Sequence, residues 1–466
     1  MNISTTRIVA QALAPFLAAL AGAAYLTGCA TFSADGGFGP VADGARENLG
    51  KELRWPRTES ERAKIDTEVA EALEHVLSAD DAVQIALLNN RALQAAFEEL
   101  GISEADLVQS GRLPNPRFTL LHAGAGGQYD IEESLTINVM SLLIAPFAHD
   151  LEKRRFAEVQ SAVLVTVLRL ADETRRAFIA AVAARQSVEY LEQVQAAATA
   201  GAELARRMVA AGNWNRLDQA REQNFHAVAA QGLTRARLVE AAAREQLTRL
   251  MGLAGEHPPL QLAEKLPELP PSVAEMPDIE AMVLRNRIDL RLMRLQLDEL
   301  AHRLGLTKAT RFIDVFDAGP ARVLQGPRSD AYERGYELSL QIPIFDGGGA
   351  RLKRAEAIYA QAADRFAQAA VDARSQIRQA YAVYRATYDI AARQRDEVLP
   401  NARLIAEQDL LRYNASLVSV FDLLADARER IAAIEGYTNS VRDFWLAQSE
   451  LDAALLGNVG SDGLPD

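Results

Sequence analysis

The run Gly347-Gly348-Gly349 invites a phosphate-binding reading, because bare backbone amides can converge on an anion. The Lys followed by Ser or Thr that a phosphate loop needs is absent, so a strand-to-helix turn is the simpler assignment. The six His are scattered over different segments and no His-Glu-x-x-His pair exists, so a metalloenzyme would need a convergence that the sequence does not announce. Seven Met form no ladder for a soft metal, and the many carboxylates are those of solvated helix surface. The single cysteine, Cys29, excludes an internal disulfide and any multi-cysteine metal site. No catalyst and no cofactor is expected; the chemistry left to Cys29 is modification of its own thiol.

Its position supports that. Arg7 is followed by an apolar run from Ile8 to Leu26 and then by Leu26-Thr27-Gly28-Cys29, a secretory signal ending in small residues, while Pro15 and the Gly and Ala content weaken a simple membrane span. Leu26 to Cys29 resembles a bacterial lipoprotein box. The resemblance implies cleavage before Cys29, diacylglycerol on its sulfur and a third acyl chain on its amine, an anchor more persistent than one chain alone gives. Ala30, in place of the Asp often carried by lipoproteins kept at the inner membrane, implies outward sorting.

The elements around it must be long and mostly helical. In 466 residues, 49% hydrophobic and 24% charged, the prolines collect at a few breaks and leave uninterrupted helix-forming stretches between. A net charge of −13 with no basic patch argues against nucleic acid as a partner. After a signal over 1–28, residues 29–79 read as a lipidated tether with little regular structure before about Asp66. A first repeat over 80–254 follows: a helix from Asp80, itself an N-cap candidate, to Gly111; a β-hairpin about 117–143 turned by Gly124-Ala125-Gly126-Gly127; and a helical hairpin about 149–250, whose first arm would run roughly 90 Å at the usual rise. Residues 255–277 form a proline-rich linker. A second repeat over 278–457 has a helix from Asp278 to Leu304, a hairpin about 311–345 and a helical hairpin about 350–456, with a flexible end at 458–466. Asn90-Arg91 corresponds to Asn286-Arg287, Lys153-Arg154 to Lys353-Arg354, and Leu217-Asp218 to Phe421-Asp422, an order that favours duplication.

The strands separate oil from water. Leu135, Ile137 and Val139 share one parity and Ser134, Thr136 and Asn138 the other; Tyr336, Leu338, Leu340 and Ile342 alternate with Glu337, Ser339 and Gln341. The run near Phe312 and Phe316 is poorer, because Asp314 shares their parity. Leu352, Ala355, Tyr359, Ala362, Phe366, Ala369 and Ala373 make a heptad seam. A soluble sheet explains the strands, and a soluble bundle the seam, but neither also explains the lipoprotein box. Four strands are too few to close a membrane channel, so several chains must contribute.

The recurring order, Ile342-Pro343-Ile344-Phe345-Asp346-Gly347-Gly348, and Tyr413 through Asp422-Leu423-Leu424 resemble the TolC-like outer-membrane efflux family over roughly residues 80 to 457. The resemblance implies a mixed α and β fold: a homotrimer with one twelve-stranded outer-membrane β-barrel continuous with a long periplasmic α-helical barrel, anchored by lipid to the Gram-negative outer membrane. Ile144-Ala145-Pro146-Phe147-Ala148-His149 departs from the glycine-rich entry of the second repeat. The implied role is a passive, non-enzymatic conduit for solutes delivered by an inner-membrane transporter and a periplasmic adaptor. Phe444-Trp445-Leu446-Ala447 and Glu450-Leu451 lean toward channels of proton-driven resistance-nodulation-division pumps, and among them toward heavy-metal efflux. A nonconducting scaffold lipoprotein and the channel of another export system are the alternatives. At the helix tips, Tyr413, Ser416 and Asp422 match the family's gate pattern, although Ala425 stands where relatives can carry a second acid. Asp218 is the first-repeat counterpart of Asp422, and helix-cap duty is the plain alternative for both.

Overall fold

A computed structural model describes residues 31–253, 260–310, 315–341, 345 and 347–457. The expected signal, Cys29 and the segment 458–466 lie outside the described residues, as do parts of 255–277 and of the second hairpin's ends. Two compact units emerge, one built from residues up to Pro40, Glu98–Ala162 and Leu292–Ala367, the other from Val41–Phe97, Val163–Arg291 and Gln368–Asp466.

The segment expected to be an unstructured tether carries two helices, α1 (Gly39–Leu49) and α2 (Glu59–Leu73). Thr58 and Glu61 close a capping box on α2, and Ile65, Val69 and Leu73 recur at every fourth position on its buried face. Ahead of α1, the Ser33 amide donates to Glu104 at 2.7 Å, Gln160 donates to the Gly37 carbonyl at 2.8 Å, and the Asp35 carboxylate accepts the Gly39 amide at 2.7 Å. Those three amide and backbone bonds fix the chain from Ser33 onward within the first unit.

The helix expected from Asp80 to Gly111 is two helices, α3 (Ala79–Asn89) and α4 (Arg91–Ser110), and its N-cap is Ser78, boxed with Asp81. Asn90 makes the break. Its backbone leaves the helical region at ψ 118°, its side chain accepts the Leu93 amide at 3.0 Å, and its amide group donates to Leu250 O at 2.9 Å. Asn89 donates to Met251 O and Gly252 O, so the two asparagines satisfy carbonyls that a helix C-terminus leaves open. Gly252 is required there: φ is +68°, and a Cβ would lie 2.6 Å from Asn89 O.

The first hairpin is β1 (Arg117–Ala125) and β2 (Gln128–Asn138), and α5 (Val139–Ala210) starts at once, ten residues before the expected His149. Asn138 starts it early by accepting the Ser141 amide at 2.6 Å, and Pro146 sits inside the helix rather than ending it. After α6 (Arg216–Leu250) come α7 (Ile279–Asn286) and α8 (Ile288–Thr310), broken at Arg287. Arg287 is buried between Asp289, at 2.6 Å, and Gln376, at 3.0 Å. Its φ/ψ of −61°/128° is close to that of Asn90, so the letter match Asn90-Arg91 with Asn286-Arg287 is one residue out of register with the backbone. The second hairpin is β3 (Phe316–Gly326) and β4 (Glu333–Leu340), shorter than 311–345 in its described part. Helix α9 (Gly349–Arg393) passes through a π turn at Gln394–Val398 into α10 (Leu399–Asn414), and α11 (Val420–Leu456) ends the described chain. Among the described residues no helix is long and apolar enough to cross a membrane.

The first unit holds one antiparallel sheet in the order β1-β2-β3-β4, open at both edges. Registers Phe118↔Leu135, Ile137↔Ala318 and Ala318↔Leu338, with Phe316↔Leu340 and Pro320↔Tyr336, put these side chains on one face. β3 therefore joins the oily face through Phe316, Ala318 and Pro320, and Asp314, which had counted against it, lies outside the described residues. Phe118, Leu338 and Tyr336 are 62%, 69% and 87% exposed. The other face carries Thr119, Ser134, Thr136, Asp317, Ser339 and Glu337, with Ser134, Thr136 and Asp317 buried. Over the rows away from the hairpin turns the polar face is the buried one and the oily face the exposed one, the reverse of a soluble sheet, while toward the turns the pair Ile131 and Leu324 on the oily face is buried.

In the second unit, Phe97, Leu168, Leu247, Ile377, Phe444 and Leu451 are fully buried. Phe444 meets the ring of Tyr384 stacked at 5.4 Å and that of Trp445 edge-on at 5.1 Å, both arrangements that aromatic pairs favour. Trp445 donates its indole N–H to Pro267 O at 2.9 Å, and Tyr388 its hydroxyl to Pro271 O at 2.7 Å, which pins the linker onto α9 and α11. The Phe444-Trp445 pair thus serves packing.

Candidate functional site

The site the sequence nominates lies at the two helix turns of the second unit, and both are built the same way. In the first, Gly212 takes φ +75° while its amide donates to Val209 O and that of Asn213 donates to Met208 O, at 3.0 and 2.9 Å. In the second, Ser416 takes φ +58° while its amide donates to Tyr413 O and that of Leu417 donates to Arg412 O, both at 2.9 Å. Each is a left-handed helix stop of the Schellman kind. Ser416 stands where the first turn has glycine, so a side chain occupies a conformation that glycine fills without strain.

Asp218 and Asp422 occupy equivalent places, each third from its N-cap. The Asn215 side chain accepts the Asp218 amide at 2.9 Å. Ser419 accepts the Asp422 amide at 3.2 Å, and the Asp422 carboxylate takes the Ser419 amide at 2.8 Å in return, a full capping box. Hydrogen bonds from the Ser419 hydroxyl and amide hold the Asp422 carboxyl below the usual carboxylate range. The cap geometry that the sequence offered as the plain alternative is present at both residues. Tyr413 is half-exposed, and among the described residues its hydroxyl bonds to no group of this chain.

Between the turns lies a cleft of about 960 Å³, lined in part by Met208, Asp218, Tyr413 and Ser416; Asp422 is not among its lining residues. Trp214 stacks on Phe421 across it, centroids 3.8 Å apart and planes within 9°. One turn down, Glu222 is buried against Arg428, whose guanidinium lies 3.9 Å from the centre of the Phe225 ring, a cation held on the negative face of an aromatic. The sequence reading missed these contacts. Trp214, an aromatic inside the polar turn Gly212-Asn213-Trp214-Asn215, is the letter that signalled them. Higher on the hairpin, burial and the facing Asp409 carboxylate push the Asp426 carboxyl up, while Asp409 pairs with Arg412 at 3.0 Å. Among the described residues no three His, Cys, Asp or Glu stand together as a metal set.

A mixed fold of one four-stranded open sheet with long helical hairpins is that of a single subunit of TolC-like outer-membrane channels. Three solved structures carry the likeness. The Campylobacter jejuni CmeC outer membrane channel matches with a TM-score of 0.67 and 15% identity, over 87% of this chain and 89% of that one. The outer-membrane channel OprN matches at 0.67 and 18%, over 87% and 94%. CusC, described in terms of transmembrane channel formation, matches at 0.65 and 16%, over 81% and 92%. No family model and no curated protein matches the chain.

Proposed function

We propose that three copies of this chain form an outer-membrane channel of a tripartite efflux system, a passive and non-catalytic exit for solutes handed over by a periplasmic adaptor and an inner-membrane transporter. The observation that carries the reading is the sheet: oily outward, polar inward and open at both edges, a geometry that requires further strands and lipid to be satisfied. The neighbours of the same fold are named as outer-membrane channels, which supports the same role. Purified protein in planar bilayers should conduct in discrete steps of one size class. Absence of conductance both alone and with adaptor would favour a nonconducting scaffold.

Lipidation at Cys29 belongs to this reading. Mass spectrometry of native protein should find an acylated N-terminus, and Cys29→Ser should lose the label while the barrel still inserts. An unprocessed, unacylated N-terminus would end that part of the reading. Tyr413, Ser416, Asp422 and Asp218 form the gate region. Three inward copies of Asp422 would favour cations, so Asp422→Asn should lower cation selectivity at matched salt. Tyr413→Phe should raise closed-state leakage if the unpartnered hydroxyl bridges to a neighbouring chain. The resemblance carried by Phe444-Trp445-Leu446-Ala447 and Glu450-Leu451 leans the cargo toward metals, and growth of a knockout on metals against drugs and solvents decides it.

A further inference from the structure

Beyond the three oily rows of the outward face, the next row is charged. Arg322 of β3 and Arg334 of β4 stand directly opposite one another, on the parity of Pro320, Tyr336 and Leu338. Like charges in that position repel across a sheet. Glu133 answers one of them, accepting from Arg322 Nε at 2.6 Å. Arg334 is exposed and has no ion-pair partner among the described residues. The nearby acids do not supply one: Glu333 and Glu337 have the opposite parity, and Asp330 lies in the turn against Gly326. A neighbouring copy pairing along the open edges would not supply one either, because β1, from Arg117 to Ala125, contains no acid. A third cation, Arg328, lies in the same turn with its guanidinium 4.9 Å from the centre of the Tyr129 ring, and Arg322 lies at the same distance over Tyr332.

We propose that Arg322 and Arg334 form a binding site for the phosphate of an anionic lipid headgroup in the leaflet at the hairpin-turn end of the sheet. Side chains opposite each other on one face start about 5 Å apart, close enough for two guanidinium forks to share one phosphate, the anion they fit best. The phosphate supplies the negative charge that the row lacks. A lipid is the source, rather than free phosphate, because the row adjoins Tyr336 and Leu338, whose exposed face needs acyl chains beside it. Tyr336 borders the row on its oily side and Tyr332 lies against Arg322, aromatic side chains of the kind found at a membrane interface. The site rests on the reading that this face meets lipid.

The test uses full-length protein in phosphatidylcholine nanodiscs doped with bisphosphorylated lipid A or with its dephosphorylated counterpart, with retained lipid counted by native mass spectrometry. The phosphorylated lipid is retained preferentially, and Arg334→Gln lowers that preference about fivefold, with a further similar loss in the Arg322→Gln/Arg334→Gln pair. Arg206→Gln, on an exposed helix surface elsewhere, changes nothing. Equal retention of the two lipids, an unaltered preference in the double variant, or full displacement by millimolar inorganic phosphate each overturns the proposal. A nitroxide at Leu338→Cys in a Cys29→Ser background separates the two claims. Oxygen-accessible label without phosphate preference removes the site alone, whereas water-accessible label removes the lipid-facing reading with it.

Discussion

Ser416 carries a side chain at φ +58°, where its counterpart Gly212 has none. Ser416→Gly should therefore stabilise the chain by about 1 kcal/mol in urea unfolding, and Ser416→Val should destabilise it by about 1–3 kcal/mol, since a β-branched residue tolerates that region worst. No difference between the two variants would mean the turn rearranges freely. Asp172 offers a second test. Burial pushes its carboxyl up to about 6 despite the Arg176 guanidinium 2.9 Å away. A pKa raised in the folded state means that the group costs nothing below its ordinary value near 3.8 and costs progressively more as pH climbs through about 6. Asp172→Asn should match the wild type near pH 4 and exceed it by about 1–3 kcal/mol at pH 7, a range that allows for the lost arginine pairing. A constant difference across that span would refute the burial account. At the residue level, position was legible in the sequence: the matched letters at Asp218 and Asp422 correspond to equivalent places, each third from an N-cap. Their caps depend on Asn215 and Ser419, whose side-chain directions no letter records.

At the scale of elements, alternation was the strongest signal. β2 and β4 were readable because a strand between lipid and water repeats with period two, and the structure extends that face to β3. Leu338→Arg places a charge in the middle of the oily band and should cost about 2–4 kcal/mol of membrane insertion, seen as loss of folded protein from the outer-membrane fraction. Ser339→Arg, on the opposite parity, should be far milder, and equal losses would argue against a one-sided sheet. Boundaries were less legible than elements. Pro146 fell in the gap expected between hairpin and helix, yet α5 runs through it, because Asn138 had already capped the helix and the proline removes one bond from a helix held by many others. The breaks at Asn90 and Arg287 were hidden within apolar runs, since what accompanies them is contact with groups remote in sequence, Leu250 O for Asn90 and the Gln376 side chain for Arg287. Of the two helices before Asp80, α2 was legible after all in Thr58-x-x-Glu61, a pattern outweighed by the glycines ahead of it.

For the whole molecule, recurrence told most: two rounds of short helices, β-hairpin and long helical hairpin are visible in the chain and present in the fold. What recurrence could not tell is where the rounds differ, and the largest difference is the π turn at Gln394–Val398, which only the second long hairpin has among the described residues. A π turn is an α-helix holding one residue too many, closed here by the Leu399 amide on Gln394 O. An α-helix works as a compass as well as a ruler, turning about 100° with every residue. The wide turn absorbs the extra residue, so the bearing of everything from Leu399 to Asn414, and with it the direction in which Tyr413 points, is carried through a turn fifteen to nineteen positions upstream, roughly four to five helical turns away. Deleting one residue from the regular α-helix between Leu399 and Tyr413, where no wide turn absorbs the change, should swing Tyr413 by about 100° and alter conductance, whereas deleting seven residues from the same arm should shorten it and nearly keep the heading. Single-channel recordings of the two deletions would read out which property the closed state depends on, length or azimuth.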